Sequence, residues 1–180
     1  MTAKEVILGR RSIRKFKDEP VDRSVLEELV AEASYSPSWK HSQIPRYIAV
    51  CDKALKEQLA AEATTIWPGN GEIIRQCAAL VAVCVVTKRS GYERDGSFST
   101  AFEDRWEFFD AGVASQTFCL AAYEHGLGTV ILGLFDIDRM SELLKVPEGQ
   151  KLIALIPVGY PAEEPAAPKR KEVKDLLTVI

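Results

Sequence analysis

The pattern of apolar and polar positions predicts strands and helices that alternate along the chain. A nearly unbroken, valine-rich apolar run from Cys77 to Thr87 is typical of a central strand covered on both faces. Three shorter apolar segments predict further strands, at 46–51, 129–132 and 152–158. No G-x-G-x-x-G motif follows the first strand, so the pattern does not support a dinucleotide-binding fingerprint.

Helical periodicity separates these strands. Ser24 and Glu27 have the spacing of a capping box, at the start of a helix that ends before Pro37. A long helix over 102–124, for which Gly126 is a suitable C-cap, has a broad apolar face with Phe102, Trp106, Phe109, Val113, Leu120 and Ala121. Shorter helices are predicted at 3–9 after Thr2, at 54–63, and at 136–144 after Asp136.

The remaining segments predict turns, a loop and an unpartnered tail. Residues 67–71 (WPGNG) predict a turn-rich break, and the polar segment 88–99 predicts a loop. The tail, residues 160–180, has apolar positions near its end but little chain left to cover them, so we expect it to pack on another subunit. The chain is therefore predicted to form one α+β domain, residues 1–180, with a central sheet wrapped by helices.

Composition and charge exclude several classes of protein. With 180 residues and 47% hydrophobic content, the chain is long enough for one core. A net charge of −3 argues against a generic nucleic-acid binder, and no apolar run is long enough for a membrane helix. The N-terminus lacks the apolar region of a signal peptide, so a cytoplasmic location is expected. The four cysteines are expected to be free thiols in the core, and neither of the two histidines has metal-site spacing.

The basic segment Arg10-Arg11-Ser12-Ile13-Arg14 is the first candidate for chemistry. Three guanidinium groups and a hydroxyl within five residues suit a phosphate, which they can bind bidentately. In an extended segment Arg10, Ser12 and Arg14 point one way while Arg11 and Ile13 point the other way. The alternative is a solvated basic turn, and composition alone does not decide between the two.

The segment 36–45 (SPSWKHSQIP) is the second candidate. It lies between a helix and a strand and is dense in hydrogen-bond donors and acceptors, so it can present them to a planar heteroaromatic ligand. The alternative is a helix-capping loop with surface polar groups. Trp39 suits stacking on a ligand or a half-buried position at an interface, and His41 suits a structural role better than that of a catalytic base.

The third candidate pairs the glycine-rich segment 126–133 (GLGTVILG) with the late basic cluster 169–171 (KRK). Glycines let a ligand approach the backbone closely, although ordinary turn chemistry explains them equally well. The basic cluster has the alternative of an exposed charge run. The sequence contains no G-x-S-x-G motif and no sign of paired buried carboxylates, so it does not indicate a hydrolase.

Several of these motifs occur in a characteristic order along nearly the whole chain. They are RRSIR at 10–14, SPS-x-x-x-SQ at 36–43, GLGT at 126–129, ILGLFD at 131–136, LIALIPVGYP at 152–161 and PKRK at 168–171. Together with the helix at 22–35 and the strand at 46–51, this order resembles the nitroreductase family of flavoenzymes. The resemblance implies an α+β fold built as an intertwined homodimer, with two FMN molecules at the subunit interface.

The resemblance also implies roles for individual residues. Arg10, Ser12 and Arg14 would hold the FMN phosphate and the pyrimidine side of the ring, and Arg11 has a position that is often basic in the family. Lys169 or Arg170 would complete the phosphate site. Pro37, Ser38 and Gln43 would contact the flavin from the partner subunit's loop. Leu132 and Gly133 would lie against the flavin N5 and donate a backbone N–H.

The implied activity is electron transfer from NADH or NADPH to nitroaromatics, quinones or similar acceptors by a ping-pong cycle. No side chain need act as an acid or base, because the flavin supplies the hydride chemistry. The loop departs from the family pattern: Trp39 stands where small residues are usual and would narrow the pocket, and His41 replaces an asparagine. Two alternatives therefore stay open, a flavin-sequestering protein with little turnover and a non-flavin anion-binding module that uses segment 10–14.

Overall fold

An antiparallel sheet lies at the centre of the molecule. The computed structural model describes residues 1–65 and 67–180. Within these residues the sheet has four strands: β1 (Pro45–Val50), β2 (Ala79–Val86), β3 (Gly128–Thr129) and β4 (Gln150–Gly159). They lie in the order β1-β2-β4-β3, and every pairing is antiparallel. The predicted α+β class and the four strand locations are confirmed, although β3 is shorter than expected.

Six α-helices surround the sheet in the described part of the chain: α1 (Ala3–Gly9), α2 (Arg23–Ala33), α3 (Lys53–Ala63), α4 (Pro68–Gln76), α5 (Arg105–Glu124) and α6 (Ile137–Leu143). Thr2 begins α1 with a full capping box to Glu5, and the Asp136 side chain begins α6 by accepting from the Arg139 N–H. Gly126 follows α5 at a φ of +76°, a conformation that favours glycine. These three predicted helix boundaries are confirmed.

Side chains of β2 alternate between two cores, one on each face of the sheet. Leu80, Ala82 and Cys84 contribute to the core that α3, α4 and α6 cover. Val81 and Val83 contribute to the other core, which α2 and α5 cover. Because helices bury both faces, the strand needs apolar residues at every position, which explains the unbroken run in the sequence.

Two local predictions are wrong. Asp22, and not Ser24, precedes the first turn of α2, so Ser24 and Glu27 form no capping box. The segment 67–71 is not a turn-rich break, because α4 begins at Pro68. Proline suits the first helical position, since its fixed φ is already helical and its missing N–H would have no partner there.

The predicted apolar face of α5 is confirmed at Ala121, which is buried, but is wrong near the helix start. Phe102, three residues before α5 begins, and Phe109 are 63% and 59% exposed, whereas Glu107 and Asp110 are 1% exposed. The side facing the sheet carries small residues, such as Ala111, so that the helix can lie close to the strands. The large aromatic side chains are left on the opposite side, where this chain alone does not cover them.

The cysteines differ in exposure. Cys77, Cys84 and Cys119 are buried, and burial raises the pKa of both Cys77 and Cys84 to about 11. Cys51 is exposed, because it lies just beyond the end of β1, so its assignment to the core is wrong. All four are free thiols.

The tail leaves the sheet after Gly159 and is exposed from residue 166 to residue 180. It contains one short 3₁₀ helix, Val173–Asp175. Its large apolar residues, Val173, Leu176, Leu177, Val179 and Ile180, are all exposed. Packing of the tail on another subunit stays a prediction.

Candidate functional site

The basic segment 10–14 lies along the short edge strand β3. Ser12 forms a parallel bridge with Thr129, and the Ile13 N–H donates to the Thr129 carbonyl at 2.9 Å. Ile13 is buried, while Ser12 is half-buried and Arg14 is exposed, as the alternation predicted. A Cβ at Gly128 would lie 2.7 Å from Ile13 Cγ1, so the close approach requires glycine at this position.

The arginines of this segment have different surroundings. Arg11 Nη1 donates to the carbonyls of Leu8 at 2.7 Å, Gly9 at 3.2 Å and Arg10 at 2.8 Å, so its guanidinium satisfies the end of α1. Within the described residues, the Arg10 guanidinium has no hydrogen-bond partner, and that of Arg14 has only a 3.5 Å contact with the Ser12 carbonyl. Arg10 and Arg14 are therefore available to an anion, and Arg11 is already engaged.

The beginning of the tail runs beside this segment. The Lys17 N–H donates to the Tyr160 carbonyl at 2.9 Å, and the Arg14 N–H donates to Glu163 Oε1 at 2.7 Å. Lys169 and Arg170 follow Glu163 by six and seven residues and are exposed. An extended chain of that length spans about 20 Å, enough to reach an anion held by segment 10–14. In the chain as described, however, neither of the two contacts that segment.

The segment after β3 offers one open backbone position. The Leu132 N–H donates to the Leu155 carbonyl at 2.8 Å, and Leu132 is 5% exposed. Gly133 is exposed, with nothing within 4 Å of the position a Cβ would take. The Asn70 side chain supports this segment by donating to the Leu134 carbonyl at 2.9 Å. Of the two residues predicted to face a flavin N5, Gly133 is the one accessible to a ligand.

The segment 36–43 is a tight loop that contains a 3₁₀ turn, Trp39–His41. Lys40, His41 and Gln43 have φ values of 45°, 57° and 48°, which are unfavourable for residues with a side chain. Inside the loop, the Gln43 N–H donates to Ser38 Oγ at 3.0 Å, and Gln43 Nε2 lies 2.8 Å from His41 Nε2. The loop therefore gathers Ser38, His41 and Gln43, three of the predicted site residues, on one turn.

Trp39 packs against α5 of its own chain. Its ring lies on that of Trp106, with centroids 4.5 Å apart, and its backbone N–H donates to both carboxylate oxygens of Asp110 at 3.1 Å. Ser42 Oγ, at 3.3 Å, and Ser90 Oγ also bond to Asp110. The sequence analysis missed Asp110 and Ser90. A charged residue within an otherwise apolar helical segment was the available signal for Asp110, since a buried carboxylate needs hydrogen-bond partners.

The two groups of candidate residues lie against different parts of α5. Gly9, directly before segment 10–14, packs against the Tyr123 side chain, whose hydroxyl a Cβ at Gly9 would overlap. The loop 36–43 contacts Asp110, which precedes Tyr123 by 13 residues. Thirteen residues correspond to about 20 Å along a helix. One chain therefore holds the basic segment and the polar loop at separate places.

A cavity of about 850 Å³ opens between α2, β1 and α5. Its walls are mostly apolar, with Arg23 and Arg46 among the lining residues, and Pro37, Ser38 and Gln43 also line it. Tyr47 stacks on Phe118 in its wall, and burial raises the pKa of Tyr47 to about 12. β1 is an edge strand, so its outer side is open to pairing.

The chain matches the model of the nitroreductase family over residues 7–160. It is 29% identical to an oxygen-insensitive NADPH nitroreductase of Salmonella typhimurium, over 89% of this chain and 66% of that protein. It is 27% identical to an FMN reductase (NADPH) of Bacillus subtilis, over 92% of this chain and 70% of that protein. The solved fold of a nitroreductase family protein from Streptococcus pneumoniae superimposes with a TM-score of 0.87 at 20% identity, covering 99% and 100% of the two chains.

Among the residues described, no helix combines the length and the apolar character needed to span a bilayer.

Proposed function

The chain belongs to the nitroreductase family of oxidoreductases, and from this premise we propose that it binds FMN and transfers electrons from NADH or NADPH to nitroaromatics, quinones or similar acceptors. The observation that carries the proposal is the alignment of segment 10–14 along β3, which leaves Arg10, Ser12 and Arg14 at least partly exposed beside Thr129, four residues before Gly133. The relatives named as a nitroreductase and an FMN reductase support the same activity. The proposed location is the cytoplasm.

The residues present fit the phosphate of FMN. The phosphate carries close to two negative charges at neutral pH, and it needs cationic or hydroxyl donors that are not already engaged. Arg10 and Arg14 meet this condition, and the Ser12 hydroxyl lies between them in the sequence. Arg11 does not, because its guanidinium binds three carbonyls of α1 and the residue after it. Lys169 or Arg170 would add a further charge from the tail.

The chain's own groups would bind and orient the cofactor. The chemistry that bound FMN would supply is acceptance of a hydride from the nicotinamide and transfer of two electrons to the acceptor, which we propose follow a ping-pong cycle. The exposed Gly133 N–H would hold the N5 side of the ring, since the Leu132 N–H is occupied by Leu155. A guanidinium from segment 10–14 would stabilise negative charge near the pyrimidine. No side chain of the described site is required as an acid or base.

We propose that the protein is a homodimer and that each site combines segment 10–14 of one chain with loop 36–43 of the other. Within one chain the two lie about 20 Å apart along α5, at Gly9 beside Tyr123 and at Asp110. The uncovered aromatic side chains Phe102, Phe108 and Phe109 supply an apolar surface for the second copy. Isologous pairing of this face would produce two equivalent sites.

The cavity between α2, β1 and α5 would receive the partner's tail. The tail has exposed apolar residues near its end, Leu176, Leu177, Val179 and Ile180, and nothing in its own described chain covers them. The cavity is mostly apolar, and the open edge of β1 offers backbone hydrogen bonds to an extended segment. Exchange of the two tails would make the dimer intertwined.

The visible spectrum of the purified protein tests FMN binding. We expect absorption bands of a bound flavin, or their appearance on addition of FMN, with close to one FMN per chain. A colourless protein that takes up no FMN would overturn the proposal and favour the non-flavin anion-binding alternative. That alternative predicts salt-sensitive binding of phosphate compounds by segment 10–14 without a chromophore.

The flavin-sequestering alternative depended on Trp39 narrowing the pocket. We propose that the stacking of Trp39 on Trp106, 4.5 Å away within its own chain, holds the indole out of the flavin pocket and allows turnover. Stopped-flow mixing with NADH and with NADPH separates the two functions. Rapid bleaching of the flavin by either nucleotide supports the oxidoreductase, whereas bound flavin that stays oxidised with both supports sequestration.

A further inference from the structure

Asp110 is a buried carboxylate directly beneath the loop 36–43. It is 1% exposed, and within the described chain no lysine, arginine or histidine forms an ion pair with it. Its partners are instead three neutral donors: the Trp39 backbone N–H at 3.1 Å, the Ser42 hydroxyl at 3.3 Å and the Ser90 hydroxyl. A buried carboxyl group whose partners are all neutral, two of them in loop 36–43, is costly to desolvate, so its presence here points to a specific task.

These bonds lie on both sides of the strained part of the loop. Trp39 follows Ser38, and Ser42 precedes Gln43, so the carboxylate holds both ends of the turn at Lys40 and His41. The left-handed backbone of that turn is unfavourable for residues with side chains and persists only where surrounding contacts impose it. Asp110 supplies those contacts from a rigid helix.

We propose that Asp110 is a positioning residue for the flavin, acting through Trp39 and Ser42 on Ser38 and Gln43. The inference rests on the proposed function, in which Ser38 and Gln43 contact FMN. All the hydrogen bonds of Asp110 go to protein groups. A carboxyl group suits this place because the Trp39 N–H, which can only donate, bonds to both of its oxygens at 3.1 Å. An asparagine keeps one of these oxygens and places an NH₂ group, itself a donor, against the same N–H.

The variant Asp110→Asn tests this role by FMN titration of the full-length protein, followed by flavin fluorescence. We expect the Kd for FMN to rise about tenfold or more, as for loss of one charge-assisted hydrogen bond. Glu107→Gln is the matched control. Glu107 is also 1% exposed and lies one turn earlier on α5, but its partners are the Lys88 N–H at 2.7 Å and Lys151 at 3.0 Å, outside the loop. This control should lose thermal stability and keep the wild-type Kd.

A double-mutant cycle separates positioning from general destabilisation. If Asp110 acts through the loop, Asp110→Asn and Gln43→Ala should be non-additive in their effect on the FMN Kd, whereas Asp110→Asn and Arg10→Ala should be additive. The absorption and circular dichroism bands of FMN bound at saturation should also shift in Asp110→Asn and not in Glu107→Gln. A structural role alone would leave the spectrum of the saturated variant unchanged.

The outcomes are distinct from those of the proposed function. A wild-type protein that binds no FMN refutes the function itself. If the wild-type protein binds FMN, either of two results overturns the positioning role. One is an Asp110→Asn variant with the wild-type Kd and spectrum, and the other is full additivity in the double-mutant cycle with Gln43→Ala. If Asp110→Asn does not fold, Ser42→Ala replaces it, because it removes one donor and leaves the carboxylate. A Kd raised about threefold or more supports the role, and an unchanged Kd refutes it.

Discussion

Replacing Arg10 by alanine should weaken FMN binding, whereas replacing Arg11 should not. The two residues are adjacent and have the same side chain, so they form a matched pair. Arg11 Nη1 is held by three carbonyls at 2.7, 2.8 and 3.2 Å, while no hydrogen bond occupies the Arg10 guanidinium in the described part of the chain. The two arginines therefore differ in whether the guanidinium is free to bind a phosphate, and not in their charge.

The expected magnitude follows from the surroundings of Arg10. Hydrogen bonds to charged groups contribute about 1.5–3 kcal/mol when one partner is removed. Arg10 is half-buried, and Arg14 and the tail lysine or arginine would still neutralise part of the phosphate charge. The lower end of the range applies, about 1.5 kcal/mol, which corresponds to roughly a tenfold rise in Kd. Arg11→Ala should instead destabilise the fold by about 1 kcal/mol, because carbonyls at the end of α1 lose their donor.

Fluorescence titration with FMN at two salt concentrations measures the first effect, and urea unfolding measures the second. The loss in Arg10→Ala should shrink as salt rises, because screening weakens the interaction that the variant removes. Equal losses of FMN affinity in both variants would refute the distinction between the arginines. An unchanged Kd in Arg10→Ala would refute its role at the phosphate.

Three further predictions concern packing, assembly and the thiols. Gly128→Ala should lower the free energy of unfolding by about 1–3 kcal/mol in a urea titration, because its Cβ would clash with Ile13 2.7 Å away. Gly133→Ala, which has open space around it, should change the free energy of unfolding by less than about 0.5 kcal/mol. Equal effects of the two variants would argue against the close approach of Gly128 to Ile13. Leu177→Asp in the tail should shift gel filtration from dimer toward monomer, since a charge would enter the apolar cavity, and an unchanged dimer would speak against the tail exchange. At pH 8 a disulfide reagent should modify no more than one thiol per chain, because burial raises the pKa of Cys77 and Cys84 to about 11 and leaves them protonated below that pH. The reactivity of these two thiols should rise only as the pH approaches 11. Two or more thiols that react fast at pH 8 without denaturant would contradict the described burial.

Local sequence signals predicted those parts of the fold that depend on neighbouring residues. The run at Cys77–Thr87 located the central strand, and the Thr2, Asp136 and Gly126 signals located helix ends, since each acts within one turn. The Ser24 signal failed because Asp22, an equally good N-cap type, precedes it. Such choices between adjacent candidates are decided by tertiary packing.

The orientation of α5 could not be obtained from its own sequence. Both sides of the helix are apolar, so periodicity does not say which one faces the sheet. The structure places small residues such as Ala111 inward and leaves Phe102 and Phe109 outside, where only a second surface can cover them. A single sequence gives no information on which of two apolar faces belongs to the chain and which to a partner.

The candidate site was predicted in part. The motif order identified segment 10–14, the loop 36–43 and Gly133, and the structure aligns the first of these with β3. The engagement of Arg11 with α1 carbonyls and the bonds from loop 36–43 to Asp110 were missed. Both depend on side-chain direction or on contacts between residues about 70 positions apart, which spacing along the chain does not encode.

Subunit mixing tests most directly the claim that each flavin site combines segment 10–14 of one chain with loop 36–43 of the other. Chains carrying Arg10→Ala and chains carrying Gln43→Ala are co-expressed with different tags, and the mixed dimer is purified and titrated with FMN. A shared site predicts one binding site of wild-type Kd per mixed dimer, because one of its two sites receives both intact elements. Two weakened sites, one with the Kd of each single variant and neither of wild-type affinity, would contradict the account.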